Sequence, residues 1–212
     1  MSLTLVPSSP PEAPKRTLSE IFNKFAADAV ERFPHLKGRF IIADMTERKA
    51  YGHKELDAKK TGLNAETARE YLRDHDVTQD MTKNKGASSC ALHDPTHNIN
   101  VIFINEDLPQ HEIENMSKEA EKHVLFVLDH ELAHCGIKDG FARASSPTDY
   151  KILLGESVAD AYALIRHYQR FGVDSEADNK YIGPAARADN FVLGGDSMHF
   201  TSFVLDAIEA LQ

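Results

Sequence analysis

The sequence predicts an α+β fold: a small antiparallel or mixed sheet in the first half, followed by two long helices. Three observations carry this. Short runs of β-branched and apolar residues, "RFIIAD" and "NINVIFI", fall before residue 105. Apolar residues at helical spacing open the chain and dominate it after residue 117. Turn chemistry separates these segments at "DPTHN" and in the Gly- and Ser-containing stretch at 137–154.

Each element has a local reason. Residues 1–16 form a Pro- and Ser-rich leader expected to be disordered, and 17–212 is read as a single domain. "TLSE" at 17–20 is a capping box, in which Thr17 caps and Glu20 reaches back. Leu18, Ile21, Phe22, Phe25, Ala29 and Val30 then repeat on one helical face until Pro34. "RFIIAD" (39–44) reads as a short buried strand. Asn64 and Thr67 open a small surface helix. "ASSCALHDPTHNINVIFINED" (87–107) reads as two strands around a turn, the second at roughly 98–104. Ser117 caps the next helix, whose first turn carries Glu119 and Glu121, and Gly136 marks its stop. A further helix is expected from near Gly155 to Gly172, with Arg166, His167 and Arg170 at its dipole-favoured end. Residues 172–198 read as irregular, and "FVLDAIEALQ" as a closing helix.

Composition excludes some classes of function. The 212 residues carry a formal net charge of −9, which argues against nucleic acid or an anionic membrane surface as a partner. No apolar run approaches the roughly 18–20 residues of a membrane helix. The leader lacks the basic and apolar regions of a secretory signal, so a cytoplasmic location is expected, with signal-independent export as an alternative. Two cysteines, Cys90 and Cys135, make no disulfide framework and read as free thiols.

The chemistry concentrates in "LFVLDHELAHCGIKDG" (125–140). His130 and His134 stand one helical turn apart, so both imidazoles reach one ion at roughly 2.0–2.1 Å. Glu131 lies about 100° around the helix from His130, which suits a base holding a metal-bound water better than a ligand. The motif sits in an apolar helix, where unpaired polar groups are costly.

Three places can supply a third ligand. A metzincin pattern needs Gly at 137 and His at 140, but the chain has Ile137 and Gly140; Asp139 is one position off. His167 and His199 are distant histidines. "GESVAD" offers Glu156, with Asp160 one turn later on the same face. Glu156 completes a His₂Glu set if the helices pack side by side, and Asp160 can then fix the tautomer of a ligand histidine.

His130, Glu131, His134, Glu156 and Asp160 together resemble the gluzincin branch of the zincin metallopeptidases, the thermolysin-like pattern. The match covers the helix pair at 117–171, together with a strand at 98–104 similar to the edge strand that lines the substrate cleft in that family. The compact chain resembles a minimal gluzincin. Gly155 and Ala159 depart from the family's N-E-x-x-S-D form. The resemblance implies a zincin-like fold, one Zn²⁺ ion and a zinc-dependent endopeptidase with Glu131 as general base. The substrate is then a peptide or protein bound along strand 98–104. It also implies a C-terminal oxyanion donor, for which His199 is the candidate, with Tyr150, Tyr162 and Tyr181 as rivals. The alternative is a non-proteolytic zinc-binding module, or a zinc hydrolase of a non-peptide amide. Cys135 reads as a small buried hydrophobe, and Cys90 as a thiol able to approach the zinc.

Overall fold

Helix α1 (Leu18–Arg32) starts where its capping residues require. The Glu20 amide donates to Thr17 Oγ1 (3.2 Å) and the Thr17 amide to Glu20 Oε2 (2.8 Å), so both halves of the capping box are made. Leu18, Ile21, Phe22, Phe25, Ala26 and Ala29 are buried along one stripe. The computed structural model describes residues 15–45, 47, 49–74, 89–105, 108–137 and 150–172. Asp139, Tyr181, His199, the irregular stretch 173–198 and the closing helix lie outside them, as does nearly all of the leader.

Four strands follow: β1 (Phe40–Asp44), β2 (Lys49–Tyr51), β3 (Ser89–Asp94) and β4 (Ile99–Ile104). They form a mixed sheet in the order β2-β1-β4-β3. β1 pairs parallel with β4, with Ile42 opposite Ile102. The β1–β2 and β3–β4 pairs are antiparallel.

Alternation along β1 and β4 sends side chains to two cores. Phe40, Ile42, Ile102 and Ile104 pack with α1 and with helix α5 (Lys118–Gly136). Ile41, Ala43, Ile99, Val101 and Phe103 pack on the other face with Leu63 and Tyr71. Tyr71 belongs to α3 (Ala65–Asp74), which follows the single-turn α2 (Ala58–Thr61).

The expectation of an edge strand at 98–104 is overturned. β4 is hydrogen-bonded to β1 on one side and β3 on the other, and all six of its residues are buried. Its near-continuous apolar run is the signature of an interior strand covered on both faces. Among the described strands the free edges are β3 and β2, and β3 is the edge beside the motif helix.

The β3–β4 turn is held by Asp94. Its carboxylate accepts from the Thr96 amide (2.8 Å), the Tyr71 hydroxyl (2.7 Å) and His97 Nδ1 (2.8 Å). Burial alone would raise the Asp94 pKa, but these donors outweigh it and hold the carboxyl well below the usual range. Asn98 takes the left-handed conformation (φ 48°) that closes the turn.

After the short α4 (Gln110–Glu114), α5 begins at Ser117, whose hydroxyl accepts from the Ala120 amide (3.2 Å). Its N-terminal end is tied to the start of α1. The Met116 amide donates to the Arg16 carbonyl (2.9 Å), and Arg16 pairs with Glu121.

Gly136 ends α5 for a different reason from the expected left-handed stop. It is still helical, and Ile137 caps. A Cβ at Gly136 would lie 2.6 Å from Cγ of Phe33, so the glycine makes room for that ring.

Helix α6 (Tyr150–Phe171) starts earlier than the expected Gly155, which is buried within it. It ends at Gly172 (φ 77°). Its Ala163 and Leu164 pack on Phe126 of α5. No helix among the described residues is long and apolar enough to cross a membrane.

Candidate metal centre

α5 lies between the sheet and α6. Leu125, Leu128 and Leu132 face the sheet core, and the neighbouring face of α5 meets α6. His130 and His134 fall on that second face, one turn apart, as a period of 3.6 requires. Glu156 comes from the second turn of α6, not the first. Its position is therefore not explained by a favourable interaction with the helix dipole.

Three atoms converge there. His130 Nε2 lies 3.2 Å from His134 Nε2 and 3.2 Å from Glu156 Oε2, and His134 Nε2 lies 3.4 Å from the same oxygen. These are the grouped atoms able to hold a metal ion among the described residues. Ligands of a tetrahedral ion with bonds of about 2.0–2.1 Å stand about 3.3–3.4 Å apart. The observed triangle has that size and accounts for three of the four vertices.

The protonation pattern points the same way. His130 Nδ1 lies 2.9 Å from Asp160 Oδ1, and Asp160 is fully buried. With its Nδ1–H donated there, neutral His130 presents a lone pair at Nε2. That lone pair meets the Glu156 carboxylate oxygen. Acceptors aimed at one another need a cation or a proton between them. Without a metal the proton takes the place: burial disfavours the imidazolium, but Asp160 and Glu156 outweigh it and raise the His130 pKa to about 10.

Glu131 is buried and stands outside the triangle. Its Oε1 accepts a hydrogen bond from Ser89 Oγ of β3 (3.0 Å). Ser89 had no sequence signal of its own; one polar residue on an alternating strand marks nothing without its partner.

A second buried polar assembly lies one residue before His130. Asp129 is fully buried; its Oδ1 accepts from Arg32 Nη1 (2.7 Å) and its Oδ2 from Arg170. Arg32 Nη1 also donates to the Tyr162 hydroxyl (2.7 Å). This assembly clips the C-terminal ends of α1 and α6 to the middle of α5. An Asp after "VLFVL" is as anomalous as Asp160 in its own apolar helix, and that was the available signal.

Two of the other candidates, Tyr162 and His167, are described and are not among the grouped ligand atoms. The Tyr162 hydroxyl is engaged by Arg32, and burial raises its pKa. His167 is buried against Phe171 (ring centroids 5.1 Å apart), not spread along a dipole-favoured surface. Tyr150 is the first residue of α6, and its side chain is not described. Neither cysteine forms a disulfide among the described residues; Cys135 is buried, which raises its pKa, and Cys90 packs against the second core.

No protein family model, no curated protein and no solved structure matches this chain.

Proposed function

We propose that the chain is a zinc-dependent endopeptidase of the gluzincin type, with a zincin-like arrangement of sheet and helices. The observation that carries this is the convergence of His130 Nε2, His134 Nε2 and Glu156 Oε2 in a triangle of tetrahedral size. A carboxylate that is not needed as a ligand, Glu131, stands beside it. Two imidazoles and one carboxylate with an open fourth position are the donor set of catalytic zinc.

Zinc held there would supply an acidified water and a polarised peptide carbonyl. His130 and His134 would hold the ion from one helix and Glu156 from the other. Asp160 fixes the His130 tautomer, so that Nε2 is kept for the metal. Glu131 takes the water's proton and delivers it to the departing amine. An extended peptide pairs with β3, an edge strand among the described residues, whose first residue touches Glu131. This moves the proposed substrate strand from 98–104 to 89–94. His199 is proposed as a donor to the developing oxyanion.

Metal content and peptide cleavage, measured on matched variants, test the reading. The wild type is expected to bind one zinc per chain and to cleave an unstructured protein such as casein. Glu131→Gln should keep its zinc and lose activity by about 10²–10⁴-fold, the range for removing a general base. Glu156→Ala should lose zinc. Cleavage that survives Glu131→Gln overturns the mechanism, and unchanged zinc in Glu156→Ala removes that ligand. Zinc binding without any cleavage would leave a non-proteolytic zinc site.

A further inference from the structure

We propose that Ser89 is the positioning residue for Glu131, orienting its carboxylate from the edge of the sheet. This inference rests on the peptidase reading above.

An ionised carboxylate accepts hydrogen bonds and donates none, so the Ser89 hydroxyl is the donor in the 3.0 Å contact with Oε1. The last torsion of a glutamate is broad and only roughly two-fold, and packing fixes it poorly. A single strong donor fixes it well. With Oε1 committed to Ser89, the plane of the carboxylate is set and Oε2 is left to accept the water's proton. A free carboxylate would divide its time among orientations in which neither oxygen is correctly aimed.

The donor itself is anchored. Ser89 lies opposite Ile104 in the β3–β4 ladder, and β4 is interior to the sheet. Alternation puts Ser89 and Ala91 on the face toward α5, where Ala91 packs against the first core. Cys90 and Leu92 turn the other way into the second core. Register thus chooses which side chain meets the base, since a slip of one residue would offer a thiol. β3 is also the edge strand, among those described, that is proposed for substrate. One strand therefore lines the peptide and orients the group that acts on it.

The test uses the zinc-loaded full chain with Ser89→Ala and Ser89→Thr. Two readouts are taken besides zinc content: kcat and KM on a fluorogenic peptide, and calorimetric affinity for a peptide hydroxamate. A hydroxamate bound beside Glu131 hydrogen-bonds to its carboxylate, so its affinity reports how that carboxylate is aimed without turnover. Ser89→Ala should keep its zinc and its KM while kcat and hydroxamate affinity each fall about tenfold, the scale of one hydrogen bond to a charged group. Ser89→Thr retains the hydroxyl and a good strand former, and should recover most of both. Wild-type kcat and hydroxamate affinity in Ser89→Ala would overturn the proposal and leave the peptidase reading standing. So would equal losses in both variants accompanied by lost zinc, which mark a merely structural role. A wild type that binds zinc but neither cleaves peptide nor binds hydroxamate overturns both.

Discussion

Replacing Asp160 by Asn isolates the support behind the metal site. The side chain is fully buried and its Oδ1 sits 2.9 Å from His130 Nδ1. Asn keeps the shape and can still accept from Nδ1–H, but the charge is gone. A hydrogen bond to a charged partner contributes about 1.5–3 kcal/mol and a neutral one about 0.5–1.5. The difference is about 1 kcal/mol before any change in imidazole basicity. Losses of metal affinity on removing such a partner are typically 10–100-fold, or about 1.4–2.8 kcal/mol. Competition against a chelating dye reads this directly. Asp160→Asn should bind zinc at least tenfold more weakly, and an affinity within about twofold of wild type would refute the reasoning.

The metal-free protein gives an independent reading of the same pair. Burial opposes a charged His130, but Asp160 and Glu156 raise its pKa to about 10, above the unfolded value of about 6.5. A group whose pKa is raised by folding stabilises fully below the unfolded value, and that contribution is lost as pH rises through the folded value. Urea midpoints measured in chelator should therefore fall between about pH 6.5 and 10, and Asp160→Asn should flatten the fall. The proposed zinc should run the other way, because protons compete with it for His130, and binding is expected to weaken as pH drops.

Asp129→Asn leaves Arg32 and Arg170 without their shared anion. Breaking a buried pair costs about 3–5 kcal/mol. The two arginines are 17% and 22% exposed, so the lower end applies, read from the urea midpoint. A loss below about 0.5 kcal/mol would show the pair to be no more than a surface contact. Gly136→Ala forces a methyl to within 2.6 Å of the Phe33 ring and should cost about 1–3 kcal/mol. Phe33→Leu should recover part of that loss in the double variant, and strict additivity would place the strain elsewhere.

How much was legible depended on range. The α1 capping box, the buried strand at 40–44, the β3–β4 hairpin and the Ser117 cap rest on near neighbours, and each appears where its residues imply. His130, His134, Glu156 and Asp160 were legible because charge inside apolar helices demands a partner. Strand order was not. "NINVIFI" is equally consistent with an edge or a centre until its parallel partner, some sixty residues earlier, is known. Asp129 carried the same anomaly as Asp160, but its arginines sit on two other helices. Ser89 was invisible, since its meaning lies wholly in the carboxylate across from it. The early start of α6 was obscured by Ser145, Ser146 and Pro147, which read as loop up to Gly155.

The parallel pairing of β1 with β4 also bears on how the molecule comes to exist. Each antiparallel pair joins near neighbours in the chain and can form within its own segment. Their union, Ile42 to Ile102, must close a long loop before it is rewarded, which places it late in folding. Glu156 meets the two histidines only once α6 has packed on α5. If the proposed zinc binds, it would find its full ligand set only after that step. It should leave the refolding rate nearly unchanged and retard unfolding, acting as a latch on a completed molecule, not as a seed for its assembly.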